Sequence, residues 1–390
     1  MDVSLKQHKG ARVGQVSVTT AAMKAIASEG HGWLRVRAGA PGRPSPELVD
    51  VVLQAMVQAN IAELDRTDDD PEVGGSHVAV SADAVLVFID FCDTRVGMRA
   101  WCEVFAEGLA GLDGPVQVGP ARSVPLPGDD LEVSSTAMAL TLPLDQSLID
   151  EDEARYGAGA PGWHVDPGRT EALLEVLLPW CLTDAHTCYL RSGLFIVTID
   201  AESALPLIRA ALPRVTPITF ATADPDGAVR QFALCTAGHV AVQRYDPAVS
   251  DAGLTADLEA LLVACAGLVD YGMIRRGQLG KDEWALLVNS RHPLIPSQTS
   301  TGSRLPQLRT LEASHAPDVY ALQLLTDQHL AHGLDLTGWD VRHVAPGRHL
   351  VSTPAAAAWL HDPDGPPAAM LEAARHQFAP ALITADMVKP

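Results

Sequence analysis

Five of the fourteen histidines, His315, His329, His332, His343 and His349, fall within 35 consecutive residues. Imidazoles at that density suit a metal centre or general acid–base chemistry near neutral pH. His329 and His332 stand three apart in a helical stretch, so they share a face. The turn at Pro346-Gly347 is placed to bring His343 or His349 towards them. The alternative is plainer. Histidines in the last turn of a helix that stops at Gly333 suit the negative end of its dipole. Spacing alone does not decide between the two, and no metal is assigned.

Other constellations are weaker. Cys181, His186 and Cys188 put three soft ligands within eight residues, but no second cysteine pair supplies the fourth ligand of a structural zinc site. The reading preferred here is a helix-end cysteine, a loop histidine and a core cysteine. Gly157, Gly159 and Gly162 satisfy G-x-G-x-x-G. Dinucleotide binding needs those glycines directly between a strand and a helix. Here an acidic stretch, Asp145–Glu153, intervenes and Pro161 lies inside the motif, so a surface loop is expected. Asp90 and Asp200 each end a strand ahead of a helix; they read as helix N-terminal aspartates rather than a catalytic pair. Trp163, His164 and Asp166 read as local packing. No Walker A, HExxH, GxSxG or kinase signature occurs, and no cofactor is assigned.

Charge carries the sharpest signal. The 390 residues hold 28 Lys and Arg against 48 Asp and Glu, a formal net charge of -20. Residues 61–160 contain 20 Asp and Glu against five Arg and no Lys. That segment would repel nucleic-acid phosphates, so no nucleic-acid partner is expected at the acidic units. Asp68, Asp69 and Asp70 stand out in it as candidate binding residues for a basic partner. Downstream, residues 271–310 hold six basic side chains against Asp282 and Glu283. Arg291, Arg304 and Arg309 in its Ser/Thr/Pro loop are candidates for an anion or an acidic surface.

The elements that must position these residues read as α+β. Residues 1–30 form a basic arm, a flexible lead-in or an edge strand. His31–Ala38 alternates as a strand, and Pro46–Leu64 is a helix capped by Ser45, with Leu48, Val51, Val52, Met56 and Ile61 near one face. The acidic loop Asp65–Gly75 leads to strands at His77–Val80 and Ala84–Asp90. A helix over Thr94–Leu112 and a strand at Pro115–Val118 complete β-α-β-β-α-β, the ferredoxin-like order, within 31–124. The same order recurs over 135–250, with AGAPG at 38–42 echoed at 158–162 and VLVFID at 85–90 echoed by FIVTID at 195–200. Its β-meander extension turns at Asp224–Gly227 and Thr236–Gly238. Tandem ferredoxin-like units are therefore expected, followed by a smaller α+β region over 251–390 with the Ser/Thr/Arg loop at 290–310. That region opens on a helix Asp251–Arg276, with Arg275 and Arg276 in its last turn.

A hydrophobic fraction of 47% and a mean hydropathy of +0.10 provide ample core for more than one domain. The amino-terminal stretch lacks a continuous apolar run, and the longest such run, Leu261–Val269, is too short for a bilayer that needs about 20 residues. No membrane partner is expected. Six dispersed cysteines without CxxC suit reduced thiols in a cytoplasm. These readings converge on a non-enzymatic, cytoplasmic binding or assembly protein. Its partner is another protein, basic in character, or a second copy. The competing expectation is a metal- or small-ligand-dependent enzyme centred on the C-terminal histidines.

Overall fold

The computed structural model describes residues 16–39, 42–81, 83–121, 134–156, 162–184, 187–192, 195–212, 217–278, 310–361, 365–384 and 386–387. These form fifteen strands and ten helices in a mixed α+β arrangement without a barrel. They divide into two compact units, one within 1–125 and 187–220, the other within 126–186 and 221–390. The division is not the sequential one expected, because the second unit's first segment interrupts the first unit.

The first unit begins with β1 (Val16–Val18), α1 (Thr20–Glu29), β2 (Gly32–Ala38), α2 (Pro46–Arg66), β3 (Val73–Val80), β4 (Val85–Cys92), α3 (Arg95–Leu109) and β5 (Val116–Pro120). Its sheet runs β1-β5-β2-β4-β3. From β5 to β3 every neighbouring pair is antiparallel, while β1 adds to the edge parallel to β5. The basic arm thus does supply an edge strand, over Val16–Val18. It also contains α1, which the sequence reading passed over because Ala-rich Thr20–Glu29 shows little apolar periodicity. Local chemistry starts the next helices. Ser45 accepts the Leu48 N–H at 3.3 Å ahead of Pro46, and Thr94 accepts the Gly97 N–H at 2.9 Å. The core is aromatic: Trp33 meets Phe88 at 4.6 Å between ring centroids and Trp101 stacks on Phe105 at 5.0 Å. All four rings are buried, each contributing roughly 1.5–3 kcal/mol by removal from water.

The chain then enters the second unit through β6 (Ser134–Thr141), α4 (Gln146–Tyr156) and α5 (Pro167–Leu182). It returns to the first unit as the antiparallel hairpin β7 (Thr187–Ser192) and β8 (Phe195–Ile199), followed by α6 (Ala201–Ala211). The Asp200 N–H donates to the Val80 carbonyl at 3.0 Å, and α6 packs on β3. That contact covers the edge strand of the five-stranded sheet, where exposed backbone groups would otherwise invite pairing.

The remaining elements are β9 (Ile218–Ala223), β10 (Val229–Cys235), β11 (His239–Tyr245), α7 (Asp251–Cys265), β12 (Tyr271–Gln278), β13 (Leu322–Thr326), α8 (Asp327–Ala331), β14 (Asp340–Ala345), β15 (Arg348–Ser352), α9 (Ala356–Trp359) and α10 (Ala368–Phe378). From β14 to β9 the strand order is β14-β15-β13-β12-β6-β11-β10-β9. The meander forms where its turns were read, with Gly227 at φ +89° and Gly238 at φ +72°.

Two expectations are corrected here. A second ferredoxin-like copy would pair β6 with β8 and β9, but β6 lies between β11 and β12, so both its edges are filled by later strands. The helix expected over Asp251–Arg276 stops at Cys265, and Arg275 and Arg276 lie on β12. Continuous apolar sequence hid that break. At Gly272, a Cβ would come within 2.6 Å of Leu262 Cδ1, so glycine is what lets α7 sit close on the strand.

Candidate functional site

The helix α2 has apolar side chains on two faces. Leu48, Val52, Ala55, Met56 and Ala59 are buried, and Glu63 closes that face with Arg66 as its partner, Nη2 to Oε1 at 2.7 Å. On the opposite side, Leu53, Val57, Ile61 and Leu64 are exposed, at 43, 45, 54 and 37%. Their spacing of four, four and three makes one continuous stripe along the helix. Scattered exposed apolar residues are ordinary, whereas a contiguous stripe is a candidate for contact. The sequence reading placed Ile61 on the buried face and missed the other three. The signal was present in their spacing, but a helix with two apolar faces does not reveal which one turns inward.

The stripe runs into the acidic loop. The helix continues to Arg66, two residues further than read, so Asp65 is helical and the connection is 67–72. Asp68 and Asp69 take left-handed backbone conformations, φ +50° and +67°, which short polar side chains tolerate. The Asp69 N–H donates to the Leu64 carbonyl at 3.1 Å and the Asp70 N–H to Thr67 at 3.2 Å. Asp68, Asp69 and Asp70 are thereby held, all exposed, beyond the C-terminal end of α2, where the helix dipole is also negative. Arg66 does not neutralise them, since it is turned to Glu63 and to Glu72 at 2.8 Å.

The C-terminal histidines fall into two groups, His315, His329 and His332 in one and His343 and His349 in the other. His315 and His332 pair at 4.3 Å between centroids, with the Ser314 hydroxyl 2.9 Å from His315 Nδ1. Burial, and then the charge of His332, lowers the pKa of His315. Buried His329 closes a capping box on α8: its Nδ1 accepts the Thr326 N–H at 3.1 Å. Burial first, and next the charge of His315, pushes its pKa down to about 4. His343 and His349 form a separate cross-strand pair at 5.5 Å, and His349 Nε2 lies 2.6 Å from Asp327 Oδ1. Among the described residues, no three His, Cys, Asp or Glu side chains are grouped to hold a metal.

The other candidates resolve individually. Arg291, Arg304 and Arg309 lie outside the described residues, as do His186 and the glycine motif up to Pro161. Cys181 and Cys188 fall in different units. Asp200 stands at the N-cap of α6 as expected, but its carboxylate makes no cap bond and instead accepts from Arg43 at 2.7 Å. Asp166 caps α5 through the Arg169 N–H at 2.9 Å, and the Trp163 indole donates to Thr170 at 2.9 Å, which is local packing. No helix among the described residues is long and apolar enough to cross a membrane.

Comparison with protein-family models, with curated proteins and with solved structures finds no match for this chain.

Proposed function

We propose that this chain is a non-enzymatic binding or assembly protein of the cytoplasm, whose contact surface is the outer face of α2 with Asp68, Asp69 and Asp70. The observation that carries the reading is the stripe Leu53, Val57, Ile61 and Leu64 leading directly into three exposed carboxylates. Burying each of these side chains against a partner contributes on the order of 1 kcal/mol, while the carboxylates orient the encounter. The partner that fits is a protein segment with an apolar face flanked by lysine or arginine. The strand order β5-β2-β4-β3, antiparallel throughout, favours a ferredoxin-like reading of the first unit, a scaffold suited to presenting a helix face. Six buried cysteines suit a reducing compartment.

The test is capture on the full chain followed by titration of the captured protein against wild type and against Val57→Glu/Ile61→Glu. Expected is a direct complex weakened at least tenfold by the double substitution, and weakened by salt unless Asp68, Asp69 and Asp70 are changed to Asn. Equal binding by the variants, no capture beyond the double variant, or occupation of the stripe by a second copy would each overturn the reading.

A further inference from the structure

In the second unit the strand order ends at β14, whose outward side has no strand partner among the described residues. Exposed strand edges are blunted in most proteins by lysine, proline, a bulge or a covering element. Asp340–Ala345 contains neither lysine nor proline, and its register shift lies beyond His343. Residues 340–343 therefore form a regular stretch, and all four are exposed. Near its middle stands Val341, an apolar side chain left 45% exposed.

This edge is complementary to itself. Pleating puts Asp340 and Arg342 on one face of the strand and Val341 on the other. Arg342 Nη2 reaches Glu259 of α7 at 2.7 Å, yet the arginine side chain stays 59% exposed. The Asp340 carboxylate makes no ion pair among the described residues. In an antiparallel pair of two β14 strands centred on Val341, each Asp340 lies opposite the second copy's Arg342. Val341 then lies opposite its own equivalent. The arrangement is two-fold, so every contact is made twice.

Charge also selects this register. Opposite charges facing each other on neighbouring strands stabilise a sheet, and like charges there destabilise it. Centring the pair on Asp340 would set two aspartates face to face, and centring it on Arg342 would set two arginines so. Only the centre at Val341 joins an apolar contact to two opposite-charge pairs. We propose that β14 is a self-association edge, through which two copies of this chain pair antiparallel over residues 340–343. The contact uses none of the α2 residues, so it stands beside the reading of that helix and does not depend on it. Four residues a side is small for an interface, so the dimer is reversible, with a dissociation constant on the order of 100 µM.

Sedimentation of the full chain over rising concentration tests this at physiological salt, where exposed charges are screened beyond about 8 Å. Expected is a reversible monomer–dimer equilibrium. Asp340→Arg or Arg342→Asp alone sets two like-charged pairs across the dimer and weakens it at least tenfold. Mixed one to one, these two variants again place opposite charges at both pairs, so a heterodimer forms with wild-type affinity. Asp340→Asn breaks no ion pair within the chain and weakens the dimer several-fold, which keeps the test open if Arg342→Asp does not fold. Val57→Glu/Ile61→Glu dimerises like wild type, which separates this contact from the α2 surface. A wild type that stays monomeric at millimolar concentration, single variants that dimerise as wild type does, a mixture of folded variants that stays monomeric, or loss of the dimer in the α2 variant would overturn the proposal.

Discussion

Asn60 and Gly75 exchange two hydrogen bonds as though Asn60 were a neighbouring strand. The Gly75 N–H donates to Asn60 Oδ1 at 3.0 Å, and Asn60 Nδ2 donates to the Gly75 carbonyl at 2.6 Å. The register of β3 against β4 shifts on both sides of Gly75, so its backbone groups depend on a side chain of α2. Trp101 Nε1 donates to the same Asn60 oxygen at 2.8 Å, which ties α3 into the arrangement.

Replacing Asn60 by Leu keeps the branching of the side chain but leaves three polar groups without a partner. With each orphan costing about 1–3 kcal/mol and some relaxation, a loss of roughly 2–4 kcal/mol is expected in urea unfolding. A loss below about 1 kcal/mol would mean that water replaces the amide and that the bulge is self-supporting.

A pH dependence follows from His329. Its folded pKa of about 4 lies below the ordinary 6.5, so between those values the unfolded chain binds the extra proton. The sign is therefore a loss of stability as pH falls from 6.5 towards 4, reaching on the order of 3 kcal/mol, with no contribution above pH 6.5. Protonation at Nδ1 would also face the Thr326 N–H that this atom now accepts. His329→Gln keeps a side-chain acceptor in the capping box and removes the titration. Urea midpoints at pH 7 and pH 4.5 should then converge for the variant; an equal acid loss in both proteins would assign the effect elsewhere.

Arg375 grips Asp318 with two parallel bonds, Nε to Oδ1 at 2.8 Å and Nη2 to Oδ2 at 2.7 Å. The Asp318 side chain is 2% exposed, so Arg375→Met strands a buried carboxylate and should cost about 3–5 kcal/mol. Asp318→Asn combined with Arg375→Met should recover much of that loss, since the charge goes with its partner. Denaturant unfolding of the two variants decides it, and a double variant no better than the single would show that shape rather than charge holds the site.

What the sequence made legible was local. Ser45 as a cap, the turns at Gly227 and Gly238, and the stop at Gly333 depend on chemistry within a few residues, and all form. The pairing of β6 was not legible, because the choice between β8 and β11 as its neighbour is a long-range competition with no local marker. The end of α7 was hidden for a related reason: Leu261–Val269 is apolar under either helix or strand. The two-faced pattern of α2 likewise left the direction of its core side open, which concealed the exposed stripe. Arg275 was misread as a helix-terminal cation for the same reason, and it lies on β12.

The first unit is finished only by residues 187–220, which follow an entire segment of the second. A ribosome emitting residues 1–125 therefore releases an unfinished body, with β3 at the edge of its five-stranded sheet awaiting α6. At ordinary elongation rates that wait lasts on the order of seconds. During it, the edge is open to chaperones or to strands of other nascent chains. Expression of either unit alone as one uninterrupted stretch would omit part of it, so dissection of this protein requires joining separated stretches of the chain rather than cutting it once.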